Sequence, residues 1–178
     1  ELNSARHLLT KTNVARPGNP DILTLLGLTY LQLEDSDKAQ FYFEKVVDSY
    51  PDSAVSVSNL ARSKMQSGDY QAAIEALSAI KDNEINGTQI KLLLIESYQN
   101  TKKYSLAINI AKSLVAEEPA NSFFQQRLGM LYGLNKQIPE ARSAFEQALL
   151  LDENNIIAMV HLARMDNITG DYDKALTF

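Results

Sequence analysis

The stretch PDILTLLGLTYLQLEDSDKAQFYFEKVVDSYPDS, residues 20–53, decides the fold. Leu23, Leu26, Gly27 and Tyr30 fall at helical spacing in its first half, and Ala39 and Phe43 do so in its second. Between them lies a polar turn, Glu34-Asp35-Ser36-Asp37, and Pro51 breaks the chain near the end. Steps of 34 residues from Ala39 reach Ala5 on one side and Ala73, Ala107, Ala141 and Ala175 on the other. The same step carries Leu26 to Leu60, Leu94, Leu128 and Leu162, and Gly27 to Ala61, Ile95, Gly129 and Ala163. Nothing is inserted or deleted in this register, and a fixed period is the signature of a repeat architecture.

Each period has room for two helices of about 14 residues, roughly 20 Å long, with one apolar face apiece. Neither helix can bury that face alone. Counting Pro20 as position 1 of a 34-residue unit, small residues at positions 8 and 20 let the paired helices approach, and Leu at 7 with Leu, Phe or Ala at 24 fills the space around the crossing. Ser67-Gly68-Asp69, Thr169-Gly170-Asp171 and Pro139 mark the turns and helix starts. Stacked units bury one core, and stability sums over neighbours.

The pattern resembles the tetratricopeptide repeat over the whole chain. With Pro20 as position 1, residues 20–53 carry Leu23, Leu26, Gly27, Tyr30, Ala39, Phe43 and Pro51 at positions 4, 7, 8, 11, 20, 24 and 32. Further units run 54–87, 88–121 and 122–155, with a truncated one at 156–178; residues 1–19 match the second helix of a preceding unit through Ala5, Leu9 and Pro17. The resemblance implies an all-α fold, a right-handed α-solenoid of antiparallel helix pairs whose concave groove is lined mainly by the first helices.

Several positions depart from the pattern. Ile95 occupies the small position 8, which predicts a tilted or repacked helix pair. Ile85 stands in place of proline in KDNEING, which predicts a bend near 81–88. Lys64 and Asp166 replace the aromatic at position 11, and Lys91 and Gln125 replace the bulky residue at position 4, which predicts weaker local packing.

Composition narrows the function. A formal charge of -5 argues against phosphate-backbone binding, so nucleic acid is excluded as a partner class. Cysteine is absent, which removes a disulfide framework, a thiol nucleophile and a cysteine zinc site. No apolar run reaches the roughly 20 residues of a membrane helix, and no signal-peptide core is present in this stretch. His7 and His161 belong to no metal-ligand spacing, and 34–37 lacks the glycine and spaced ligands of a calcium loop, reading instead as a helix cap. No phosphate-cradling glycine loop occurs. The chain therefore reads as noncatalytic, with no cofactor and no metal site. Tyr70, Tyr104 and Tyr172 recur at position 17 and are assigned to packing.

In the resemblance, positions 2, 5, 6, 9, 12 and 13 face the groove. The residues expected to bind a partner are Leu28, Asn59, Arg62, Leu93, Glu96, Phe123, Arg127, Met130, His161 and Arg164. Apolar anchors beside arginines suit a protein or peptide ligand; Leu25 and Leu28 can equally be packing residues. Two known uses of the groove fail on their residues. A carboxylate clamp would need cations and asparagines where Thr24, Leu28, Gln89 and Leu93 stand, and only Asn59 fits; an asparagine ladder at position 6 would run through Leu25, Asn59, Leu93, Arg127 and His161. The expected role is an interaction scaffold. The alternatives are the regulatory region of a larger enzyme, or a self-associating structural array.

Residues 138–155 (IPEARSAFEQALLLDENN) and 158–176 (AMVHLARMDNITGDYDKAL) also look like the tetratricopeptide lipoproteins of bacterial exosortase and exopolysaccharide-export systems. That likeness implies a scaffold in the cell envelope or periplasm, for protein sorting or polysaccharide secretion. Both ends of the sequence fall inside repeats, so the expectation is a segment of a longer array. At the C-terminal end, DYDKALTF is too short to cover Met159, Leu162 and Ala163, which predicts an exposed apolar edge open to end-to-end self-association.

Overall fold

The computed structural model describes residues 1–80 and 87–170. They contain ten α-helices and no strand: α1 (Leu2–Ala15), α2 (Pro20–Gln32), α3 (Ser36–Ser49), α4 (Ala54–Gln66), α5 (Tyr70–Ser78), α6 (Thr88–Asn100), α7 (Tyr104–Glu117), α8 (Ser122–Leu134), α9 (Ile138–Leu151) and α10 (Ile156–Thr169). First helices start at 20, 54, 88, 122 and 156, and second helices at 2, 36, 70, 104 and 138, so both series advance by 34 residues. The fold is all-α, built of helix pairs. The chain divides into two compact units, Glu1–Thr101 and Lys102–Phe178. In the first, α1 to α6 pack each on the next, and α2 and α6 also touch α4; in the second, α7 to α10 pack in sequence order.

Helix boundaries are written at fixed positions of the period. Position 34 caps the first helices with a side chain except at Gly87, which has none: Asn19 Oδ1 accepts from Ile22 N–H (3.1 Å), Ser53 Oγ from Ser56 N–H (3.3 Å), and Asn155 Oδ1 from Ala158 N–H (3.0 Å). Asp35 and Asp69 cap α3 and α5 in the same way, accepting from Lys38 N–H (3.2 Å) and Ala72 N–H (3.0 Å). The acidic run at 34–37 is thus a helix start, and the Lys38 ammonium at 2.6 Å holds the Asp35 carboxyl below its usual range. Position 15, in the turn within each pair, has a positive φ every time: Glu34 59°, Gly68 84°, Lys102 58°, Lys136 62° and Gly170 81°. The next N–H reaches back to the position 11 carbonyl, as from Asp35 to Tyr30 (3.0 Å), Asp69 to Lys64 (2.9 Å) and Gln137 to Tyr132 (2.9 Å).

The core lies at the crossings. Position 7 is buried in all five first helices, and Ala39, Ala73, Ala107 and Ala141 at position 20 are wholly enclosed. Gly27 and Gly129 pass so close to Phe43 and Phe145 that an added Cβ would stand 2.5 and 2.9 Å from the rings. The 54–87 repeat instead has Ala61 at position 8 and Leu77 at position 24, both fully buried. Ile95 is fully buried as well.

Two expectations change. The predicted edge at Met159, Leu162 and Ala163 does not form: Leu162 is 0% exposed, and Met159 and Ala163 are half-buried. α9 packs on α10; the exposed apolar side chains of α10 are Ile156, Ile157, Val160 and Ile168. The charged residues at position 11 are also not loose. Lys64 Nζ lies 3.9 Å from Glu44, and Arg142 pairs with Asp166, which is only 3% exposed. Position 4 holds too, with Lys91 buried and Gln125 half-buried. The expected bend near 81–88 and the DYDKALTF segment fall almost wholly outside the described residues.

Candidate functional site

The first unit carries an open cleft of about 530 Å³ built from α2, α4, the start of α5, and α6. The helical period brings its lining together. Leu31 and Gln32 close the last turn of α2, while Arg62, Met65 and Gln66 lie on one face of α4 at i, i+3 and i+4. Leu93 and Glu96 lie on α6 at i and i+3, and Tyr70 opens α5. Gln66 Nε2 donates to the Leu31 carbonyl at 3.0 Å, tying α4 to α2 across one wall. Met65 is buried and Leu31, Tyr70 and Leu93 are half-buried, so they form an apolar floor; Arg62 and Glu96 are exposed at the rim. Neither forms a salt bridge among the described residues.

Of the residues expected to bind a partner, the cleft therefore unites Arg62, Leu93 and Glu96. Leu28 is half-buried and packs with Leu31 on the Leu26, Tyr30 and Phe43 cluster, so it is partly core. Asn59 is buried and lines a different cavity of about 210 Å³, with Val55, Ser58, Gln89 and Ile90. Met65, Gln66 and Gln32 stand at positions 12 and 13, which were expected to face the groove without being singled out. Tyr70 was assigned to packing. Its place at the first residue of α5, beside the last turn of α4, was the signal available.

The second unit holds the remaining five. Phe123 is exposed, tilted against Phe124 with ring centres 5.8 Å apart, at the edge of a shallow cavity of about 610 Å³ formed by residues 118–123. Arg127 is half-buried, its Nε enclosed without a hydrogen-bond partner. Met130 Sδ lies 4.0 Å from Gln126 Nε2, a weak contact. His161 stacks on Phe145 with ring centres 4.7 Å apart and planes 3° from parallel. Burial lowers its pKa from the usual histidine value, and Arg164, exposed three residues on, lowers it further. A neutral imidazole against a buried ring serves packing as much as binding. Sequence reading did not see the Arg142–Asp166 pair, because its partners lie 24 residues apart on different helices.

No group of ligating side chains able to hold a metal ion occurs among the described residues. No helix among them is long and apolar enough to cross a membrane.

No curated protein matches the chain in sequence. Solved structures match it in fold. MamA from Desulfovibrio magneticus RS-1, from residue 41 to its end, aligns with TM-score 0.76 at 20% identity over 89% of each chain. YrrB, described as a tetratricopeptide repeat protein with an unusual peptide-binding site, aligns with TM-score 0.75 at 16% identity over 90% of this chain and 82% of its own. A tetratricopeptide repeat protein from Parabacteroides merdae ATCC 43184 aligns with TM-score 0.75 at 16% identity, over 98% of this chain and 68% of its own. The tetratricopeptide repeat family model matches residues 20–53 and 124–155. Residues 20–53 and 124–155 thus match the tetratricopeptide repeat in sequence, and the described helix pairs share the fold of these solved structures.

Proposed function

We propose that this chain is a noncatalytic scaffold that holds a segment of a partner protein against the exposed faces of its first helices. The observation that carries the reading is the cleft of about 530 Å³, in which Met65, Leu31 and Leu93 make a floor and Arg62 and Glu96 a charged rim. A few apolar anchors inside a polar rim is the usual anatomy of a peptide site. The fold likeness to YrrB, itself described as having a peptide-binding site, supports the same class of ligand. Phe123, Arg127, Met130 and Arg164 extend the proposal to the second unit, where aromatic and cationic groups are again presented on first helices. The sequence likeness to envelope tetratricopeptide lipoproteins supports a finer setting, in bacterial protein sorting or polysaccharide secretion.

Selection of a displayed random dodecapeptide library on the folded protein tests the reading. Enriched peptides are expected to shift the amide NMR signals of α4 and α6, and Leu93→Ala with Met65→Ala is expected to weaken them at least tenfold. Circular dichroism checks that the variant stays helical, and Glu75→Ala on the exposed face of α5 serves as the control. Failure to enrich any peptide, or shifts confined to the second helices, overturns the proposal.

A further inference from the structure

Arg62 and Glu96 occupy the same position, 9, of consecutive repeats, on helices that pack against each other. Opposite charges so placed would ordinarily close into an ion pair, yet neither side chain forms a salt bridge among the described residues. Both line the same cleft, whose apolar side chains include Met65 and Leu93. The contrast lies nearby, where Lys64 on the same helix does find its acid, Glu44, at 3.9 Å. The cleft therefore presents a guanidinium from α4 and a carboxylate from α6, both exposed to an incoming ligand.

From this juxtaposition we infer the chemistry of the partner: an extended peptide segment with one acidic and one basic side chain flanking an apolar residue. It rests on the peptide-binding reading above and adds polarity to it. The acid lies over α4, where Arg62 can clasp a carboxylate through two parallel N–H donors. The base lies over α6 on Glu96, and the apolar residue between them enters the floor. Packed helices run about 8–10 Å apart and an extended chain advances about 3.3 Å per residue, so the two charges stand about two to four residues apart. A uniformly acidic or uniformly basic segment would satisfy one rim group and meet like charge at the other, which is the exclusion that gives such a site specificity.

The test uses a peptide selected from the dodecapeptide library and its synthetic twin, in which the acidic and basic residues are exchanged. The wild-type protein is expected to bind the selected peptide at least tenfold tighter than the twin, by isothermal titration calorimetry. The double variant Arg62→Glu with Glu96→Arg, checked for helicity, is expected to reverse that preference. Equal affinity of the wild type for the two peptides, with NMR shifts still in the cleft, overturns the inferred chemistry and leaves the peptide-binding reading standing. Binding that is insensitive both to the charge exchange and to Leu93→Ala with Met65→Ala overturns the two together.

Discussion

The 20–53 and 54–87 repeats build the same helix pair from different side chains. In the first, Gly27 lies beneath Phe43 and Tyr30 stacks on Tyr42 with ring centres 5.6 Å apart. In the second, Ala61 and Leu77 fill the corresponding positions, and Lys64 stands where the tyrosine was, 3.9 Å from Glu44. The family model matches 20–53 and 124–155, and both contain a glycine under a phenylalanine with a tyrosine at position 11; it does not match 54–87. What holds the architecture is the sum of volumes at the crossing and a satisfied group at position 11. The two repeats thus carry different matched sets of residues, and the sets are expected to fail when exchanged one residue at a time.

The largest break in that comparison is expected where position 11 is charged and buried. Asp166 is 3% exposed and pairs with Arg142, whose side chain keeps contact with water and with Glu146 at 3.8 Å. Arg142→Ala removes the guanidinium from a carboxylate that is almost wholly enclosed, and is expected to cost about 2–4 kcal/mol in urea denaturation, slightly below a fully buried pair because the guanidinium is partly solvated. Glu44→Ala removes the partner of Lys64 from a half-exposed site and is expected to cost less than about 1 kcal/mol. Equal losses for the two variants would show that burial of position 11 does not set the strength of its pairing.

A second break exchanges half of a set. Gly27→Ala places a methyl group 2.5 Å from the buried Phe43 ring, which cannot swing away. With the Phe43 ring fixed in place, the overpacking cost falls toward the upper part of about 1–3 kcal/mol and outweighs the roughly 1 kcal/mol gained by replacing glycine in a helix, so a net loss of up to about 2 kcal/mol is expected. Adding Phe43→Leu reproduces the Ala61 and Leu77 combination, and the double variant should be no less stable than Phe43→Leu alone. That sign of coupling in a double-mutant cycle is the measurement; additive losses would refute the volume argument.

How legible this was follows from the physics of each feature. The helix pairs could be read because Ala39, Leu26 and Gly27 recur in covalent register, and buried crossings tolerate few alternatives. The groove residues could be read only as positions. Sequence placed Arg62, Leu93 and Glu96 on exposed faces, yet whether they share a cleft depends on how α4 and α6 pack. Asn59, also expected on the groove, lines another cavity for that reason. Leu162 is enclosed where an exposed edge was expected, because burial at one helix face depends on how neighbouring helices pack and not on the spacing of the sequence. Arg142 and Asp166 needed the rotational phase of two helices, which a period of 34 does not supply.

The turn within each pair gives the finest distinction between repeats. Position 15 is left-handed in five successive turns, but glycine occupies it only at Gly68 and Gly170; Glu34, Lys102 and Lys136 adopt φ near +60° with a side chain attached. Two effects compete there. A Cβ in the left-handed region costs roughly 1–2 kcal/mol, while glycine makes the unfolded chain more flexible and gives back about 0.5–1 kcal/mol of that advantage. The first term is the larger, so Lys136→Gly is expected to stabilise the protein by about 0.5 kcal/mol, and Gly68→Lys to destabilise it by a similar amount. Urea denaturation of the two variants beside the wild type checks both signs. If Lys136→Gly lowers stability, the lysine is supplying more to its turn than the conformation costs, and the repeats with glycine would be the poorer solution.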